Sequence, residues 1–142
     1  MRALESKTCR TAFRRIGAAT VEFAVISPVI FLFVFGLIEL ARGIMVTHLL
    51  TNAARNGCRV GIIEGKSNQD ITTAVNNTLT ATGISGDSIT VYVNDNNGDT
   101  VNAQPGDEVT VRVLVPVANV SWVPVPNYLT GNLQGKYTLR RE

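Results

Sequence analysis

Residues 14–42 read RRIGAATVEFAVISPVIFLFVFGLIELAR, and this stretch decides the fold. Two arginines, Arg14 and Arg15, open it. A small-residue step at Gly17 and Ala18 follows, then a single acid, Glu22. Phe23 to Ile38 carries no charge, and charge returns only at Glu39 and Arg42. As a helix rising about 1.5 Å per residue, Ala18–Ile38 covers about 30 Å, the thickness of a hydrocarbon core. A cleaved secretory signal is the competing reading. Against it stand the length of the run, an exit without a small-x-small site (Ile38-Glu39-Leu40-Ala41-Arg42), and an apolar pattern that continues into more helix. A buried core helix is the weakest alternative. The expected organisation is a basic leader over 1–17, a membrane helix over 18–38 and a globular part over 39–142.

Charge distribution supports this division. The net charge is +2, but Arg2, Lys7, Arg10, Arg14 and Arg15 against Glu5 give the leader +4 and leave the remainder at −2. Basic residues before an apolar run hold that end in the cytoplasm. No nucleic-acid partner is expected, because the basic residues lack interleaved aromatics and the body is mildly acidic. Residues 1–13 show no useful periodicity and read as disordered or as part of the leader. Ser27-Pro28 lies inside the apolar run. Proline removes a backbone donor there, and a serine hydroxyl or a neighbouring helix can satisfy the freed carbonyl.

Beyond the run, residues 39–62 read as amphipathic helix. Leu40, Ile44, Leu49 or Leu50, Ala53 and Cys58 recur at helical spacing, with Glu39, Arg42, Arg55 and Arg59 available to the other side. Arg55 and Arg59 are like charges one turn apart. A helix over 18–62 would run on the order of 68 Å. Ser67-x-x-Asp70 opens a second helix with Ile71, Val75 and Leu79 as its buried stripe and Gly83 beyond its end. From Ser88 the period becomes two. Ile89, Val91 and Val93 share one face of a strand. Residues 94–99 form a turn, with Asn97-Gly98 the type I′ candidate. Pro105-Gly106-Asp107 turns into a second strand with Val109, Val111, Val113 and Val115 inward. Pro116, Pro124 and Pro126 keep 116–127 from being a central strand. Trp122 in that loop is expected to close one edge of the core. Lys136–Glu142 reads as the last strand. The fold class is α+β: a long N-terminal transmembrane and amphipathic helix on a small antiparallel sheet of three or four strands, with one further short helix.

Few residues suggest chemistry. His48 is the only histidine, which leaves a His triad or a zinc pair without support. There is no C-x-x-C, P-loop or G-x-G-x-x-G. Asp95, Asn97 and Asp99 are spaced like calcium-loop oxygens, but Thr100 and Gly106 stand where such a loop needs glycine and glutamate, so a solvated hairpin turn is expected. Cys9 and Cys58 fall in different segments, which leaves Cys58 a lone thiol, read as a small buried hydrophobe. No enzyme activity and no cofactor are expected. Glu22 stands out: a carboxylate at the bilayer centre costs about 2.5–3.5 kcal/mol and less near its edge. It either lies at the headgroups or meets a cation.

The order of basic residues, Gly17, a small residue, Glu22 five positions after the glycine, Phe23 and an apolar helix resembles the class III signal of type IV prepilins. Its particular form is similar to TadE-like minor pseudopilins of the Tad (Flp, type IVb) pilus. Arg15, Gly17-Ala18-Ala19, Val21-Glu22-Phe23-Ala24, Pro28, Phe35-Gly36, Glu39, Arg42 and Asn52-Ala53-Ala54-Arg55-x-Gly57-x-Arg59 carry the likeness. Cys58 departs from it, standing where alanine is common. Ala18 also departs from ordinary type II secretion pseudopilins, whose mature chains usually begin with Phe.

The resemblance implies a pilin-like fold and a prepilin peptidase that cuts between Gly17 and Ala18 on the cytoplasmic side. Glu22 and Phe23 are then the assembly and recognition residues, and Arg14 and Arg15 set topology. The implied partners are the peptidase, other pilus subunits and minor pseudopilins, an inner-membrane assembly platform and the lipid bilayer. The implied location is the inner membrane, single-pass, with the C-terminal part outside the cytoplasm; incorporation into the pilus is left open. Two other readings stay open: an anchored extracytoplasmic binding or adhesion module using Trp122, and a pseudopilin of a different secretion machine.

Overall fold

The computed structural model describes residues 5–84, 88–122 and 131–142, with side chains described from Ala19 onward. The chain divides into two compact units, Met1–Ile38 and Glu39–Glu142.

Helix α1, Glu5–Gly61, supplies the described backbone of the first unit and the opening element of the second. Residues 5–13, read from the sequence as disordered or as part of the leader, are helical. They contain no glycine or proline, so backbone propensity suffices without an apolar stripe. Pro28 does not interrupt the helix. The Ser27 hydroxyl points to the Ala24 carbonyl at 3.5 Å, the acceptor that Pro28 leaves without its backbone donor. The large apolar residues of this unit are exposed, from Val34 and Ile38 at 44% to Leu32 at 74%.

The second unit is α+β, as expected. Helix α2, Asn68–Thr80, buries Ile71, Val75 and Leu79. Asp70 reaches back to the Ser67 N–H at 3.0 Å and to the Ser67 hydroxyl at 3.2 Å. The Ser67 amide is the main reason the Asp70 carboxyl is held below its usual range. Gly83 adopts a positive φ of 72° just past the helix, as its place at the C-terminal end requires.

Four antiparallel strands follow: β1 Ser88–Val93, β2 Asn96–Asn97, β3 Glu108–Pro116 and β4 Asn132–Arg140, in the order β2-β1-β3-β4. Val91, Val111 and Tyr137 lie in register across three strands. Alternation therefore puts Val109, Val111, Val113 and Val115 into the core and Thr110, Arg112 and Leu114 on the opposite face. Short 3₁₀ turns at Thr100–Asn102 and Val117–Asn119 complete the described chain.

Several expectations need correction. The hairpin turn is Asn94-Asp95, not Asn97-Gly98: both residues have positive φ, 50° and 61°, as a type I′ turn requires. Asn and Asp tolerate this region better than most residues. Asn94 is also locked from outside the turn, donating to Asp107 Oδ1 at 2.8 Å and accepting the Glu108 N–H at 3.0 Å.

Strand β4 begins four residues before the expected Lys136 and ends at Arg140. Gly135 hid its first half, because a glycine weakens a strand pattern. A Cβ at 135 would lie 2.3 Å from the Leu50 carbonyl carbon, so only glycine lets β4 approach α1 there. Leu40 and Ile44 are exposed rather than buried, and the buried stripe of α1 is Val46, Leu50, Ala53, Ala54 and Cys58. Trp122 does not close the core; it is 72% exposed. Pro116 ends β3 opposite Asn132. Pro124 and Pro126 lie outside the described residues.

Candidate functional site

The residues singled out near the N-terminus follow one another along the backbone of α1. Of Arg14, Arg15, Gly17 and Ala18 only the backbone is described. The Gly17–Ala18 bond lies in helix, and the 3.6-residue period sets positions 18 and 22 one turn apart on the same side. Glu22 and Phe23 are both exposed, Phe23 at the head of the apolar run. Helix α1 is long and apolar enough to cross a membrane from Ala19 onward, which fits a single-pass anchor.

The second cluster belongs to the Glu39–Glu142 unit. Glu39 Oε1 accepts the Trp122 N–H at 2.9 Å. Arg42 Nε donates to the Val120 carbonyl at 2.5 Å, and its guanidinium stands 4.3 Å from the Trp122 ring centre, a cation–π distance. The two charges that end the apolar run are thereby tied to one loop, while Leu40, Ile44 and Met45 in the same turns stay exposed. Leu40, Ile44, His48 and Leu133 line a shallow groove of about 370 Å³ beside them. Glu39, Arg42 and Trp122 are each noticeable in the sequence for separate reasons. No sequence signal says that they meet, since they lie about eighty positions apart.

The motif Asn52-Ala53-Ala54-Arg55-x-Gly57-x-Arg59 has a packing explanation. Ala53, Ala54 and Gly57 are buried, and a Cβ at Gly57 would lie 2.6 Å from Val75 Cγ2 and 3.2 Å from Ile71 Cγ2. Small residues let α1 approach α2 and β3 closely. Arg55 and Arg59 are exposed, and the Arg55 guanidinium stands 5.5 Å from the Tyr137 ring centre, a contact that offsets some of the like-charge repulsion along the helix. Cys58 is fully buried, with Sγ 3.1 Å from the Tyr137 carbonyl and 3.6 Å from that of Val109. Burial pushes its thiol up to about 11, which makes it a poor nucleophile at neutral pH.

The acidic loop does not converge on a centre. Asn96 and Asn97 are strand β2. Asp99 Oδ1 accepts the Val101 and Asn68 N–H groups, both at 3.3 Å. Among the described residues no group of three His, Cys, Asp or Glu side chains is placed to hold a metal ion. At the far end of the sheet Asp107 accepts the Gln104 N–H at 2.7 Å, which holds its carboxyl below the usual range, with Asn94 and Arg141 adding to the effect. Arg141, 4% exposed, donates through Nη1 to the carbonyls of Ala103 at 2.7 Å and Thr100 at 3.2 Å. These contacts fasten the 98–107 loop to the chain end and are structural.

Comparison with known proteins agrees with the likeness read from the residues. A family model described as TadE-like protein matches residues 17–59, from the glycine of the small-residue step to Arg59 at the end of the small-residue motif. No curated protein and no solved structure matches the chain.

Proposed function

Proceeding from a chain whose residues 17–59 match the TadE-like family, we propose that this protein is a minor pseudopilin acting in the assembly of a Tad-type IVb pilus. The observation that carries the reading is where the match begins. It starts at Gly17 and takes in Ala18, Glu22 and Phe23, the apolar run and the small-residue packing motif, leaving the basic leader outside. A prepilin peptidase cuts between Gly17 and Ala18 on the cytoplasmic side, where Arg14 and Arg15 hold the leader. Glycine favours helix less than alanine does, by about 1 kcal/mol, so unwinding the backbone at the bond is cheapest there. The cut frees an amine at Ala18, one helical turn from Glu22. That amine, in the same chain or in a neighbouring subunit, balances a carboxylate that lipid alone would reject. Other pilus subunits and the inner-membrane assembly platform are the partners of the processed chain, whose role is structural rather than catalytic.

N-terminal mass spectrometry of the membrane-extracted protein tests this reading. The expected mature chain begins at Ala18; intact Met1–Gly17 overturns the proposal, as does normal processing of Gly17→Arg. Glu22→Ala is expected to be processed and to lose piliation. Unchanged piliation removes Glu22 from the mechanism.

A further inference from the structure

The charges that end the apolar run do not stand free in solution around α1. Glu39 and Arg42 are both engaged by the 120–122 loop, through the Trp122 N–H and the Val120 carbonyl. The turns they leave behind carry Leu40, Ile44 and Met45, each more than half exposed, and the loop presents Trp122 at 72% exposure with Arg42 under its ring. An exposed indole stacked on a guanidinium, level with exposed aliphatic residues, is poorly matched to bulk water. It is well matched to a boundary that is apolar on one side and wet on the other.

Chain continuity selects the boundary. Residues 39–45 directly follow the apolar run, so no Cα among them lies more than about 10 Å of helix rise beyond Ile38. The headgroup zone on each side of the hydrocarbon is about 5–8 Å deep, and tryptophan with arginine is a pairing suited to that zone. We infer that Leu40, Ile44 and Met45 together with the Arg42–Trp122 stack form a collar that seats the start of the second unit in the headgroup–acyl boundary of a phospholipid bilayer. The collar rests on the membrane-anchored reading above. It adds a second lipid contact, made by the globular part. The indole lies at the level of the glycerol backbone and the guanidinium faces lipid phosphate, while Glu39 is kept away from the lipid by its bond to the loop. Leu40, about 3 Å of helix rise beyond Ile38, covers the outermost acyl carbons, and Ile44 and Met45, whose side chains lean back toward the helix N-terminus, reach the headgroups.

Trp122 is the chain's only tryptophan, so its emission reports this one position. The full chain is reconstituted in vesicles of phosphatidylcholine and phosphatidylglycerol carrying bromines either near the headgroup end or near the tail end of the acyl chains. A second protein, Trp122→Phe with Phe31→Trp, reports the apolar run in the same vesicles. The expected result is blue-shifted Trp122 emission, lost more to shallow than to deep bromines, little affected by aqueous iodide and unchanged as protein is diluted with lipid. Water-like emission that iodide quenches and bromines do not, with the indole at position 31 of the second protein still quenched by deep bromines, overturns the collar and leaves the anchor standing. If bromines quench neither position, the anchored reading fails and takes the collar with it. Protection of Trp122 that disappears on lipid dilution assigns the surface to a second copy of the chain and likewise overturns the proposal.

Discussion

Residues 23–38 and residues 46–61 are both helical, yet their environments are opposite. The first stretch is the more apolar and is exposed: Phe31, Phe33 and Phe35 are 58%, 67% and 59% accessible. The second mixes alanine, glycine and cysteine with arginine and asparagine, yet Leu50, Ala53, Ala54 and Cys58 are completely buried. Apolar content therefore did not select the core. What selected it was a surface able to come close: Gly57 admits Val75 and Ile71, and Gly135 on β4 admits the α1 backbone at Leu50. The richer stretch has no such counterpart among the described residues, which is the expected condition of a segment whose solvent is lipid.

Glycine substitutions break this comparison most strongly. Gly135→Val places side-chain atoms against the α1 backbone and is expected to cost more than about 3 kcal/mol, abolishing cooperative unfolding of the second unit. Gly36→Ala meets nothing within 4 Å and should leave the transition unchanged. Near-UV circular dichroism of the detergent-solubilised chain during heating separates the two. Leucine truncation comes next. Leu50→Ala is expected to lose about 2–5 kcal/mol in the same measurement, whereas Leu32→Ala should lose almost nothing. Equal losses would mean that the apolar run is packed inside protein.

Titration sharpens the comparison from the buried side. The Cys58 thiol is neutral in the core, and burial raises it from an ordinary value of 9.0 to about 11 in the folded chain. Folding therefore favours the protonated form. Its contribution is complete below about pH 9 and is lost as pH rises towards 11, by at most about 2–3 kcal/mol. Cys58→Ala should flatten that limb in denaturation midpoints compared with the unchanged protein; parallel limbs would place the thiol in contact with water. The smallest effect is expected at Arg55, whose guanidinium stacks on Tyr137. Arg55→Gln should shift stability by about 0.5–1 kcal/mol, and a larger loss would reveal a partner for Arg55 beyond the ring.

Much of this is legible in the sequence where local periodicity carries the information. Ile71, Val75 and Leu79 on α2 and the four inward valines of β3 can be read directly, because a 3.6 or 2.0 repeat marks one buried face. The proposed N-terminal site is an order of residues: Gly17, Ala18, Glu22 and Phe23 are successive positions of one helix, and no tertiary contact is needed to bring them together. Reading fails where a residue's role depends on something remote. Leu40 and Ile44 continue a helical stripe yet remain outside, because β4 and α2 meet the helix further along, at Leu50 and Gly57. The first half of β4 is hidden by the glycine that its packing requires. The hairpin turn lies at Asn94-Asp95 because Asn94 is braced by Asp107 and Glu108 across the strand pair.

The sequence alone determined that one apolar run follows a basic stretch, that a glycine and an acid stand at its entrance, and that α+β structure follows. Charge, length and repeat are properties of neighbouring residues and survive without a fold. Only the tertiary structure decided that Glu39, Arg42 and Trp122 meet, that Cys58 is sealed from water, and that Gly135 cannot carry a side chain. Each of those depends on bringing residues about eighty positions apart within a few ångströms, a placement set by how the sheet packs on α1 and by no local pattern.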